Sequence, residues 1–106
     1  MERLRCGVIL TDRFLAFLQS ENAARRAEAG DSDETPVAIV DYVKCAEGPR
    51  AGTAYWHLGW GKGAAKMQDW CLFRVEGVTI YMSRQTQRAL KWKHIDYLDG
   101  QVFVPL

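Results

Sequence analysis

Soft metals need deprotonated thiolates and neutral imidazoles gathered at one point. The 106-residue chain holds three cysteines, Cys6, Cys45 and Cys71, and two histidines, His57 and His94. Cys45 closes one apolar run, His57 lies within the next, and Cys71 opens a third. If these runs are neighbouring strands, Cys45, His57 and Cys71 are candidate metal ligands, with iron or an iron–sulfur cluster as the cofactor class. The bland alternative is packing, since free cysteine is among the most buried residue types. No C-x-x-C pair occurs, so neither a zinc knuckle nor a dithiol redox motif is present. The sequence contains no H-E-x-x-H and no nucleophile elbow. No mutually activating pair can be named, so catalysis is not expected.

Binding chemistry has two further candidates. The first is Gly59-Trp60-Gly61-Lys62-Gly63, read as a mobile or tightly turned loop after the strand that carries Tyr55 and Trp56. Backbone N–H groups and Lys62 could cradle a phosphate. The spacing is not that of a P-loop, and Ala64 stands where a hydroxyl is needed. A tryptophan between two glycines is hard to explain by packing and could close over a ligand or anchor a partner. Tyr55, Trp56, Trp60 and Lys62 are therefore the expected ligand- or partner-binding set. The second candidate is the basic series Arg84, Arg88, Lys91 and Lys93 beside Trp92. Arg84, Arg88 and Lys91 are spaced i, i+4, i+7 and share one face of a short helix. They could meet phosphates while Trp92 stacks on a base. A solvated helix face is the default, and the formal net charge of +1 favours it over nucleic-acid binding.

The elements that must position these residues are legible from periodicity. Thr11 and Asp12 are N-cap types, and Leu10, Phe14, Phe17 and Leu18 recur at helical spacing. A helix from about Asp12 to Glu28 follows, with a polar, alanine-rich second half expected to project from the body. The acidic stretch GDSDETP reads as a loop. VAIVDYVKC, after Pro36, reads as a central strand with both faces partly covered. TAYWHL over 53–58 is a second strand. Glu76-Gly77 and Asp99-Gly100 are two-residue hairpin turns, and Ser83 caps a short helix to about Lys91 between them.

The second half of the chain resembles the A-type iron–sulfur carriers, the HesB-like or IscA-type family. Gly52-Thr53-Ala54-Tyr55 is similar to the family's G-F-S-Y stretch after a valine-rich strand. Gly77-Val78-Thr79-Ile80-Tyr81 is similar to its short strand before the small helix. Leu90 with His94-Ile95-Asp96-Tyr97 is similar to its L-x-G-x-x-I-D-Y segment, and Phe103 to its late aromatic position. The likeness covers roughly residues 36–104 and implies a β-rich fold with flanking helices and a role in iron or iron–sulfur handling. The departures fall on the ligands. Arg50 stands at the position of the family's first cysteine, and its C-terminal C-x-C pair would lie beyond Phe103, where the sequence closes at Leu106.

The expected fold is α+β, mostly β, with an N-terminal helix and one short helix between hairpins. A single domain is expected over 1–106, with the helix and acidic loop in 1–35 and the β-rich core in 36–106. The expected function is a small non-enzymatic HesB-like domain that binds a small molecule or protein partner, with a homodimer compatible with free sheet edges. An iron carrier with an atypical ligand set and a nucleic-acid-binding module are the rivals. An odd, widely spaced cysteine set fits a reducing cytoplasm. MERLRCGVIL is too short an apolar run for a secretion signal, and no stretch approaches the ~18 apolar residues of a membrane span.

Overall fold

The computed structural model describes residues 1–29, 35–44 and 54–104. These form an α+β fold of two α-helices and two four-stranded sheets. In chain order the elements are β1 (Glu2–Arg3), β2 (Ile9–Leu10), α1 (Asp12–Ala29), β3 (Val37–Lys44), β4 (Ala54–Gly61), β5 (Leu72–Val75), β6 (Val78–Tyr81), α2 (Arg84–Leu90), β7 (His94–Leu98) and β8 (Gln101–Phe103). The first sheet runs β1-β2-β7-β8 and the second β4-β3-β6-β5.

Local chemistry explains most of the elements. The Thr11 side chain accepts from Phe14 N at 3.3 Å and its carbonyl accepts from Leu15 N at 2.9 Å, so Thr11 caps α1. Phe14, Leu15, Leu18 and Asn22 form the buried stripe of that helix. Both hairpins turn on two residues with positive φ: Glu76 at 50° and Gly77 at 80°, Asp99 at 51° and Gly100 at 82°. Two consecutive left-handed residues match the right-handed twist of the flanking strands.

Each sheet also contains one parallel pair, β2 with β7 and β3 with β6. Such pairs need long connections, and here each crossover passes through a helix or a second hairpin partner. β3 is interior, antiparallel to β4 and parallel to β6, as its unbroken apolar run predicts. One apolar cluster joins Leu4 of the β1–β2 turn and Leu10 and Ile95 of the first sheet to Ala38, Phe73 and Ile80 of the second, with Phe14 and Leu18 of α1 and Leu90 of α2.

One expectation needs correction. β4 does not stop at Leu58 but pairs with β3 as far as Gly61, so Gly59, Trp60 and Gly61 are strand residues and not a loop. A Cβ on Gly61 would approach Ile39 Cδ1 to 3.0 Å, so this glycine serves close strand contact rather than mobility. The second half of α1 touches the body at buried Asn22 and through Arg25 over the Trp60 ring, while residues 23–28 are exposed as expected. Asp96 plays a part that periodicity does not mark. It sits buried in β7, where Arg13 Nε at 3.1 Å, Thr11 Oγ1 at 2.7 Å and Tyr97 N at 2.8 Å all donate to its Oδ1, and Arg13 Nη2 donates to Oδ2.

Candidate functional site

The α2 face is built from its cap outward. Ser83 Oγ accepts from Thr86 N at 3.2 Å, which starts the helix one residue before Arg84. Thr86 and Leu90 are buried against the body, so Arg84 and Arg88 are left on the solvent side. Lys91 follows at the C-cap, also exposed. The helix contains no acidic residue. Among the described residues no carboxylate pairs with Arg84, Arg88 or Lys91.

Chain reversal after α2 is made by Trp92, which takes φ 67°. A large side chain in the left-handed region is a genuine outlier, because that position usually falls to glycine. Trp92 N donates to Gly7 O at 2.9 Å, and Ile9 N donates to Lys93 O at 3.0 Å. The β1–β2 turn thus clamps the backbone on either side of the outlier. Trp92 remains 62% exposed, with Lys91 Nζ 5.6 Å from its ring centroid.

Across the groove from α2 lies Trp70, in a 3-10 turn over Asp69–Cys71. This residue is 49% exposed although its neighbours Cys71 and Leu72 are buried. Gln87 of α2 holds this turn, donating through Nε2 to Met82 O at 2.9 Å and Trp70 O at 3.4 Å. Arg5 Nη2 holds it from the other side, donating to Leu72 O at 2.9 Å and Asp69 O at 3.2 Å. The result is an open groove of about 240 Å³ lined by Cys6, Trp70, Arg84, Gln87, Arg88 and Lys91. It joins three cations to the exposed indole of Trp70, with exposed Trp92 beside Lys91 just outside the lining, on a turn tied at four backbone carbonyls.

The other sequence candidates are dispersed. Trp60 sits opposite Ala38, in a row that continues to Ile80 and Phe73, and packs against the core with the Arg25 guanidinium 4.9 Å from its ring centroid. Packing and a cation–π contact account for it. Lys62 follows β4 and is exposed. Tyr55 and Trp56 occupy β4 positions opposite Val43 and Tyr42, and their side chains lie outside the described residues.

Cys45 also lies outside the described residues. His57 is on β4 and Cys71 adjoins β5, at opposite edges of the sheet β4-β3-β6-β5. Three strand spacings, roughly 14 Å, separate them, so these two do not converge. Cys71 is buried, with Sγ 4.0 Å from Gln68 Oε1. Burial pushes the Tyr81 phenol up, and the adjacent Cys71 adds to the shift. Among the described residues no group of three or more His, Cys, Asp or Glu is placed to hold a metal ion. No described helix is long and apolar enough to cross a membrane.

Two further depressions carry less. One, of about 270 Å³, lies between β1 and β5; the other, of about 420 Å³, is lined by Phe17, Leu58, Tyr97 and the β7–β8 hairpin. In the second, Phe17 and Tyr97 already stack on each other at 4.0 Å. Neither groups like charges with exposed rings. Scans against protein-family models, curated proteins and solved structures return no match.

The i, i+4, i+7 spacing of Arg84, Arg88 and Lys91 made the basic side of this site legible. Trp70 and Cys6 were not, because nothing local places a turn before β5, or the β1–β2 turn, beside α2.

Proposed function

We propose that this chain is a small binding domain rather than an enzyme, and that the α2 face is its contact surface for a phosphate-bearing ligand. The observation that carries the reading is the groove in which Arg84, Arg88 and Lys91 lie with no carboxylate partner among the described residues, with exposed Trp70 in the same lining and exposed Trp92 beside Lys91. Unpaired cations in a concave site keep most of their field for an anion, whereas paired ones do not. A strained, exposed tryptophan that the β1–β2 turn holds in place adds weight, because strain of this kind clusters at binding sites. The α2 face thereby displaces the Trp60–Lys62 segment as the leading surface, since Trp60 has a packing role.

The HesB-like likeness remains a proposal about fold relationship. Its support is the order of strand, strand, hairpin, short helix and hairpin from β3 to β8. Iron carriage finds no support in the positions of His57 and Cys71. A cytoplasmic setting belongs to the same reading and rests on the odd, widely spaced cysteine set.

The test is retention on immobilised polyphosphate. The intact protein is expected to bind and to elute with rising salt. The triple variant Arg84→Gln, Arg88→Gln, Lys91→Gln, with unchanged circular dichroism, is expected to pass through. Equal retention of both proteins would sink the assignment of this face.

A further inference from the structure

The anion reading leaves open why two indoles border the cations, and this determines the class of ligand. We infer that the groove takes single-stranded nucleic acid, with Trp70 and Trp92 stacking on bases while Arg84, Arg88 and Lys91 follow the phosphates; the inference rests on the phosphate-binding reading above.

Geometry favours this ligand over other polyanions. Arg84 to Lys91 spans ~10 Å along α2, a row long enough to meet successive phosphates of a short single strand. A row of cations satisfies an inorganic polyphosphate by itself, and that ligand has no flat face for an indole. Bases do, and the stack is tolerant of sequence because every base presents a π-face. Both residues are exposed, at 49% and 62%, yet each backbone is fixed, Trp70 by Gln87 and Arg5 and Trp92 by Gly7. An exposed ring on a fixed backbone loses little freedom when a base lands on it.

A duplex fits less well. Its bases are already stacked, so the indoles would find only edges and sugars. A lipid surface also fits less well, because the large apolar residue of α2, Leu90, faces the core and the outer side carries Arg84 and Arg88. Interfacial helices instead present an apolar face to the bilayer.

The experiment uses the intact protein with labelled oligo(U) and oligo(dT) of ~12 nucleotides, a duplex of the same length, and polyphosphate. Fluorescence anisotropy gives affinity, and quenching of intrinsic tryptophan emission reports stacking. Both single strands are expected to bind more tightly than the duplex and to quench emission; a preference for oligo(U) would further assign the ligand as RNA through its 2′-hydroxyls. With three phosphates neutralised, raising salt from ~50 to ~200 mM should weaken binding roughly 15–20-fold. Trp70→Ala and Trp92→Gly are each expected to weaken oligonucleotide binding about tenfold while changing polyphosphate binding less than about twofold. Glycine is chosen at 92 because it accepts the left-handed backbone.

A second readout needs no variant. Cys6 lines the groove and is half-buried, so bound oligonucleotide should slow its alkylation in the unaltered protein. If polyphosphate binds but the indole substitutions leave oligonucleotide affinity unchanged, or the duplex binds as tightly as the single strands, the inference falls and the anion site stands. Oligonucleotide binding without protection of Cys6 would also overturn it, placing the contact elsewhere. If neither polyanion binds, both readings fall together.

Discussion

Asp96 of β7 is held by the guanidinium of Arg13, 83 residues earlier in the chain. The carboxylate is buried at 6% exposure, and Thr11, the N-cap of α1, donates to the same oxygen as Arg13 Nε. This contact fastens the start of α1 to the first sheet and gives the I-D-Y segment a structural role. Hydrogen bonds from Arg13 and then Thr11 hold the Asp96 carboxyl at about 2, below its ordinary 3.8. A carboxyl whose folded value is depressed stabilises the fold fully above its unfolded value, and that stabilisation is lost as pH falls toward the folded one. Urea midpoints should therefore show wild type more stable than Asp96→Asn at neutral pH, with the gap narrowing between about pH 4 and pH 2. A gap that stays constant across this window would show that Asp96 acts through shape and not through charge.

Gly7 is where the β1–β2 turn meets the end of α2. Its φ is 97°, and a Cβ there would come within 3.1 Å of Lys91 Cγ and 3.6 Å of the Trp92 ring. Gly7→Ala should cost about 1–3 kcal/mol in chemical denaturation, from strain in the left-handed region together with crowding. Because the same turn holds Trp92, the variant should also lose ligand affinity at a temperature where it is still folded.

Ser83 caps α2 through Thr86 N and also donates to Thr86 Oγ1 at 3.0 Å. Ser83→Ala should lower stability by ~1 kcal/mol, a fall of about 4–8 °C in melting temperature for a domain of this size. Ser83→Gly should cost only a few tenths of a kcal/mol, because glycine leaves the cap backbone accessible. Equal loss in the two variants would mean that the side-chain cap is not what holds the helix start.

Trp60 separates a packing residue from a binding residue. Its contacts with the core and Arg25 lead us to expect that Trp60→Ala costs about 2–4 kcal/mol. Polyphosphate retention at a temperature where the variant is folded should be unchanged. A variant of wild-type stability that had lost binding would return the ligand site to β4.

Local signals in the chain were sufficient for the two helices and for the β5–β6 and β7–β8 hairpins. Thr11 and Ser83 mark helix starts because a hydroxyl can replace a missing backbone acceptor within three residues. Glu76-Gly77 and Asp99-Gly100 mark hairpins because tight turns need positive φ at adjacent positions. The basic face of α2 was legible for the same reason, since helical spacing alone brings Arg84, Arg88 and Lys91 together. Tertiary structure decided everything that joins distant segments: the parallel pairings β2–β7 and β3–β6, the burial of Asp96 beside Arg13, and the extension of β4 through Trp60. It also decided that Trp70 stands exposed across from α2 while Trp60 packs half-buried against the core. A tryptophan looks alike in sequence whether it faces solvent or core, because its exposure is set by which strand and helix come to lie over it, and those neighbours are brought together only when the sheets close on their shared core.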